Sequence, residues 1–145
     1  MALHRHLLAA VLLGLLAPAA LADIAVIVHP DSPLRAIGAR EVSDLYLGRN
    51  RSVSVDGQRI AVVAIEQPSG SPLREAFFRA LNGMRIQQVN AYWARLRFSG
   101  EVLPPTALPD SRAVVDAVAR SRHAIGYVDA AAVNDSVRTV LLLKE

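Results

Sequence analysis

The segment Ile60–Gly83, IAVVAIEQPSGSPLREAFFRALNG, predicts a buried strand, a turn and an amphipathic helix in direct succession. Residues 60–65 have the length and apolar composition of a buried strand. Ser71 is a good helix N-cap, because its hydroxyl oxygen can accept a hydrogen bond from an unpaired backbone N–H, and Pro72 suits the first helical position. Asn82 and Gly83 then end the helix. Its apolar face repeats at helical spacing and consists of Leu73, Ala76, Phe77, Ala80 and Leu81.

The start of this predicted helix is suited to a small anion. Backbone N–H groups at a helix N-terminus attract negative charge, and Ser69, Ser71 and Arg74 add two hydroxyl groups and a guanidinium. We also expect Ser32 here, since it follows another strand and ligands of open α/β sheets bind beyond the carboxyl ends of strands. The same residues also fit a helix start that binds only water, with Arg74 in solvent.

Residues 1–22 have the pattern of a cleaved export signal. A basic start at residues 4–6 precedes the apolar run Leu7–Leu16, which is too short to span a bilayer. Residues 20–22 read Ala-Leu-Ala, a small-residue cleavage site. We therefore expect cleavage after Ala22, a periplasmic product and no membrane insertion after cleavage.

Residues 23–145 have the length of one ordinary domain with a core of its own. The chain has no cysteine, so this domain depends on packing without disulfides. Without Arg5, fifteen cationic side chains face thirteen anionic ones, which gives a net charge of +2. The arginines are dispersed and form no stripe, a distribution that argues against nucleic-acid binding.

The remaining pattern alternates strands with helices. Further strands are predicted at residues 24–29, 124–128 and 137–143, and further helices at residues 41–47 and 85–98 and after a cap at Asp110 or Ser111. Residues 49–57 are interpreted as a turn and residues 102–109 as an extended, proline-rich segment. This alternation predicts an α/β fold, a three-layer sandwich around a mostly parallel sheet.

No catalytic residue, metal ligand or cofactor is predicted. A triad of Ser71, His29 and Asp31 can be drawn, but the sequence has no nucleophile-elbow motif. No cluster of His, Cys, Asp or Glu has metal-ligand spacing, and no Gly-rich nucleotide loop follows the early strands. The sequence therefore favours a protein that is not an enzyme.

Four segments together resemble the periplasmic phosphate-binding proteins of ABC transporters, in the type 2 periplasmic-binding-protein superfamily. They are IAVIVHPDSP at residues 24–33, EVSDLYLGR at 41–49, SPLREAF at 71–77 and AIGYVD at 124–129. The resemblance covers most of residues 23–145 and implies a periplasmic-binding-protein type II-like lobe. Full members of the family close two lobes around the anion, whereas this length accommodates roughly one.

Carried over to this sequence, the resemblance implies that Ser71 and Arg74 bind phosphate. Three positions depart from the family pattern: Gln67 replaces an arginine, Pro72 a glycine and Leu73 a threonine. One hydroxyl, one charge and one backbone N–H donor are therefore missing, which predicts weak binding.

Two functions follow as hypotheses. The first is a solute-binding protein that captures phosphate or a similar small anion for an ABC permease. The second is a non-catalytic interaction lobe that serves a membrane sensor or transporter, or that forms a homodimer. A hydrolase ranks below both.

Overall fold

The computed structural model describes residues 22–145, so the predicted signal lies outside the described residues except for Ala22. The strands are β1 (Ile24–Val28), β2 (Ser52–Val55), β3 (Gln58–Ala61), β4 (Val63–Glu66), β5 (Thr106–Ala107), β6 (Ala124–Asp129) and β7 (Arg138–Leu143). The helices are α1 (Ala39–Tyr46), α2 (Pro72–Asn82), α3 (Ile86–Ser99) and α4 (Ser111–Ala119), with a 3₁₀ turn at Ala130–Ala132.

The main sheet has five strands in the order β5-β4-β6-β1-β7. Strand β4 pairs in parallel with both β5 and β6, whereas β1 is antiparallel to both β6 and β7. Four strands therefore run in one direction and only β1 runs in the other. The predicted α/β fold with a mostly parallel sheet is confirmed.

Helices cover both faces of this sheet. Alternate residues of β1 enter two different cores, because successive side chains of a strand point to opposite faces. Val26 belongs to the larger core, with residues of α1, α2 and α3, and Ile27 belongs to the smaller core, with α4. At Gly126 of β6, an added Cβ would lie 2.6 Å from Cγ1 of Val114, so the glycine permits the close approach of α4.

The interpretation of residues 49–57 as a turn was wrong, and so was the single strand at residues 60–65. Strands β2 and β3 form a separate antiparallel hairpin. Its turn residues Asp56 and Gly57 both have positive φ, at 50° and 79°, which suits a two-residue hairpin turn. The apolar run at residues 60–65 contains parts of two strands: β3 ends at Ala61, and β4 begins at Val63 in the other sheet.

Helix α2 agrees with its prediction at both ends. The Ser71 hydroxyl oxygen accepts a hydrogen bond from the backbone N–H of Arg74, and Gly83 ends the helix with φ of 73°. Phe77 is fully buried and stacks on the Tyr127 ring, with centroids 3.6 Å apart and an interplanar angle of 4°. The other predicted helices, and the strands at residues 24–29, 124–128 and 137–143, are present with ends shifted by at most two residues.

Candidate functional site

The loop 67–71 joins the end of β4 to the start of α2. Because β4 and β6 are parallel, their carboxyl ends lie at the same edge of the sheet. A cavity of about 780 Å³ lies there, lined by this loop, by the first residues of α2, by residues 109–111 and by Asp129. The predicted residues Ser69 and Ser71 both line it.

Backbone N–H groups at and just before the α2 N-terminus belong to residues that line this cavity. Ser71 uses its N–H for the carbonyl of Pro68, and its hydroxyl oxygen accepts from Arg74. Within residues 22–145, the N–H groups of Ser69, Gly70 and Leu73 take part in no hydrogen bond to the protein. Gly70 has φ of 95°, a conformation that glycine adopts at little cost. Three N–H groups at the positive end of a helix are the local feature that favours an anion.

Two carboxylates also line this cavity and would repel a bound anion. Asp110 is the N-cap of α4 and accepts from the N–H of Ala113 at 2.9 Å. Asp129 accepts from the N–H of Ala131 at 3.0 Å. Among the described residues that line this cavity, none is an arginine or lysine. Attraction for an anion there comes from the N–H groups and hydroxyls alone.

Arg74 is buried, with 6% of its surface exposed, and two of its three guanidinium nitrogens donate to other side chains. Its Nε donates to Oε1 of Glu66 at 3.0 Å, and its Nη1 donates to Oδ1 of Asn90 at 2.9 Å. The guanidinium carbon lies 5.4 Å from the Phe78 ring centroid. Arg74 lines a second cavity, beside the first, rather than the loop cavity itself. Because Glu66 pairs with Arg74, its carboxylate largely balances the charge of the guanidinium.

A buried polar network surrounds this ion pair. Burial raises the pKa of Glu66 above its ordinary 4.5, while Arg74 and the Tyr127 hydroxyl act in the opposite direction. Tyr127 donates to Oε1 of Glu66 at 3.4 Å, and Tyr46 donates to the carbonyl of Ile65 at 2.9 Å. Burial also raises the pKa of both tyrosines, so they remain protonated donors.

Gln67 connects three elements. Its side-chain Nε2 donates to the carbonyl of Tyr127 in β6 at 3.1 Å and to the hydroxyl of Ser111 in α4 at 3.3 Å. The residue is 3% exposed. Where the resembling family carries an arginine, this chain therefore has a side chain that holds β4 against β6 and α4.

The structure does not bring Ser32 to the loop cavity, so that expectation was wrong. It assumed that β1 and β4 run in the same direction, but β1 is antiparallel to β6, which is parallel to β4. Ser32 therefore follows β1 at the opposite edge of the sheet. There its hydroxyl accepts from the N–H of Leu34 at 3.2 Å, and its carbonyl accepts from Arg138 at the start of β7.

The same reversal separates the triad that can be drawn from the sequence. His29 lies directly after β1, and its Nδ1 accepts from the backbone N–H of Asp31 at 3.0 Å. Ser71 lies at the other edge. Within residues 22–145 there is no group of three His, Cys, Asp or Glu residues that could hold a metal ion. None of the helices in that range has the length and hydrophobicity to cross a bilayer.

Comparison with known proteins identifies the fold. No protein-family model and no curated protein matches the sequence. A crystal structure from Clostridium perfringens, described as a phosphate ABC transporter substrate-binding protein with bound phosphate, matches with a TM-score of 0.65 and 22% identity. It covers 83% of this chain and 46% of the other.

Two further structures agree. An ABC-type phosphate transport receptor from Vibrio cholerae matches with a TM-score of 0.64 and 14% identity over 83% of this chain and 47% of that one. A protein from Planctomyces limnophilus, described as phosphate-binding, matches with a TM-score of 0.54 and 17% identity over 77% and 38%.

The chain has the fold of the phosphate substrate-binding proteins. It spans less than half the length of these structures. The fold implied by the four sequence motifs is thus confirmed.

Proposed function

We propose that this protein is a non-enzymatic, exported binding protein that takes phosphate or a similar small anion at the N-terminus of α2. The ligand would contact Ser69, Ser71 and the N–H groups of Gly70 and Leu73. The observation that supports the proposal is that three residues lining one cavity have backbone N–H groups with no hydrogen-bond partner within residues 22–145, in a fold shared with a phosphate-bound structure. Export follows from the proposed cleavage after Ala22, and an ABC permease is the corresponding partner.

The proposed binding is weak, with a dissociation constant of roughly micromolar to millimolar. Arg74 is already paired with Glu66, so it contributes little net positive charge to the loop. Asp110 and Asp129 line the same cavity and repel an anion. Pro72 supplies no N–H, and Leu73 supplies no hydroxyl.

A second function, that of an interaction lobe, is favoured by a different observation. Phe98 and Leu103 are 94% and 82% exposed, close together along the chain at the end of α3 and just after it. Exposed apolar residues of this kind are typical of protein contact surfaces when they form a patch. A membrane sensor, a transporter or a second copy of the chain is the corresponding partner.

Leu73→Thr tests the anion-binding function by a gain of affinity. A threonine hydroxyl at the second helical position adds one donor beside the free N–H groups, and one hydrogen bond contributes roughly 0.5–1.5 kcal/mol. We expect the variant to bind phosphate about two- to tenfold more tightly in isothermal titration. Leu142→Thr is the matched control, because Leu142 lies on β7 at the far side of the sheet. Unchanged or weaker binding by Leu73→Thr would count against the loop as the phosphate site.

A further inference from the structure

A second cavity, of about 390 Å³, lies on the other side of the loop, between the end of β4, helices α2 and α3, and residues 104–107. Its lining includes the polar side chains of Arg74, Asn90 and Arg97. It also includes the apolar side chains of Trp93, Pro104 and Pro105. The loop cavity is lined by neither Arg97 nor Trp93, so the two cavities differ in charge and in apolar character.

Two side-chain nitrogens of residues that line this cavity have no hydrogen-bond partner within residues 22–145. Arg74 uses Nε for Glu66 and Nη1 for Asn90, and within residues 22–145 its Nη2 makes no hydrogen bond. Trp93 is 4% exposed, and its buried Nε1 likewise has no partner in the described part of the chain. Nη2 of Arg74 is not fully buried, so it can donate to a ligand in this cavity, whereas Nε1 of Trp93 is enclosed by the protein.

The charges around the cavity favour an anion. Arg74 and Arg97 contribute two positive charges against the single carboxylate of Glu66, and that carboxylate is engaged by Arg74 and the Tyr127 hydroxyl. Arg97 is exposed in the last turn of α3, and its guanidinium makes no ion pair with the described residues. It is available to a carboxylate at the cavity mouth.

The apolar residues that line this cavity favour an organic anion over inorganic phosphate. Inorganic phosphate has no apolar surface to bury against Trp93, Pro104 and Pro105, whereas a flat apolar group gains about 25 cal/mol for each Å² it buries. Ligand pockets of roughly this volume typically combine apolar walls with a few polar groups.

We propose that this cavity is a second ligand site, specific for a small organic monocarboxylate. The carboxylate accepts from Arg97 and from Nη2 of Arg74, and the apolar part of the ligand lies against Trp93 and the two prolines. Gln67 and Ser69 line both cavities, but the carboxylate contacts proposed here are to Arg74 and Arg97, which do not line the loop cavity.

Benzoate is the probe, and Trp93 is the reporter because it is the only tryptophan of the chain. We expect saturable quenching of its fluorescence by benzoate, with acetate binding at least about tenfold more weakly because it lacks the apolar ring. Arg97→Gln should weaken benzoate binding about tenfold, since a charge-assisted hydrogen bond is lost. Arg95→Gln is the matched control: it removes the same charge from the same helix, outside the cavity, and should change affinity less than about twofold.

Competition with phosphate distinguishes ligand binding in this cavity from ligand binding at the loop. We expect that phosphate does not displace benzoate and that Leu73→Thr leaves benzoate affinity unchanged. Three results would overturn the proposal: no saturable benzoate signal up to about 10 mM, equal losses in Arg97→Gln and Arg95→Gln, or competitive displacement of benzoate by phosphate. The phosphate loop would stand after either of the first two, and a failure of phosphate binding would leave the carboxylate site intact.

Discussion

Replacing Arg74 by alanine is expected to lower the free energy of unfolding by about 3–5 kcal/mol, because it leaves a buried carboxylate without its partner. Glu66 and Arg74 have side chains only 6% and 7% exposed, and their Nε–Oε1 distance is 3.0 Å. Arg74 also loses its hydrogen bond to Asn90 and its contact with the Phe78 ring. Urea denaturation at constant pH measures the change.

The pH dependence of this loss has a defined sign. Burial places the folded-state pKa of Glu66 above 4.5, so ionisation of Glu66 destabilises the fold as the pH rises through that raised value. Arg74 lowers this pKa, so its removal raises it further. The loss in Arg74→Ala should therefore be largest at neutral pH and should shrink as the pH falls through the raised folded-state pKa, where Glu66 becomes neutral. A loss that grows on acidification would contradict this account of the pair.

Two controls isolate the unpaired charge. Arg79→Ala removes an exposed arginine of the same helix, which contacts Glu145 at 3.3 Å, and should cost less than about 1 kcal/mol. The double variant Glu66→Leu with Arg74→Met replaces the pair by apolar groups and should recover most of the loss. If the double variant is as unstable as Arg74→Ala, the loss arises from packing rather than from the charge.

Phe77→Ala is the second large effect, an expected loss of about 3–5 kcal/mol of unfolding free energy. The ring is fully buried between α2 and the sheet. It stacks on Tyr127 and meets the edge of Tyr46 at a centroid distance of 5.0 Å, so the truncation opens a cavity at the centre of the larger core. Phe98→Ala, at a ring that is 94% exposed, should change stability by less than about 0.5 kcal/mol. Equal effects of the two substitutions would show that the core lies elsewhere.

Local signals explain why the helices could be predicted. The Ser71 cap, the proline that follows it and Gly83 each act within one turn of the chain, and the structure contains all three as expected. The apolar spacing of α2 likewise identified Phe77 as a core residue. Strand direction has no such local signal. The direction of β1 depends on which strands it pairs with. Because β1 is antiparallel to its neighbours, Ser32 lies far from the loop where we expected it.

The pairing of Arg74 with Glu66 and Asn90 also could not be predicted from the sequence. Glu66 and Asn90 lie eight and sixteen positions away, on a strand and on another helix, so no periodic pattern connects them to Arg74. An arginine in the first turn of a helix therefore suggested an anion ligand, whereas the fold supplies a carboxylate of its own. The hairpin of β2 and β3 was missed for a related reason, since its short alternation of serine and valine is weak beside the polar residues around it.

Phosphate titration followed by two-dimensional ¹H–¹⁵N NMR determines whether the start of α2 binds an anion. We expect saturable shifts centred on the amides of Ser69, Gly70 and Leu73, with a dissociation constant of roughly micromolar to millimolar. Sulfate should produce shifts of the same amides, because the site offers N–H groups rather than phosphate-specific acceptors. The absence of saturable shifts at these three amides up to about 10 mM phosphate would contradict anion binding at the start of α2.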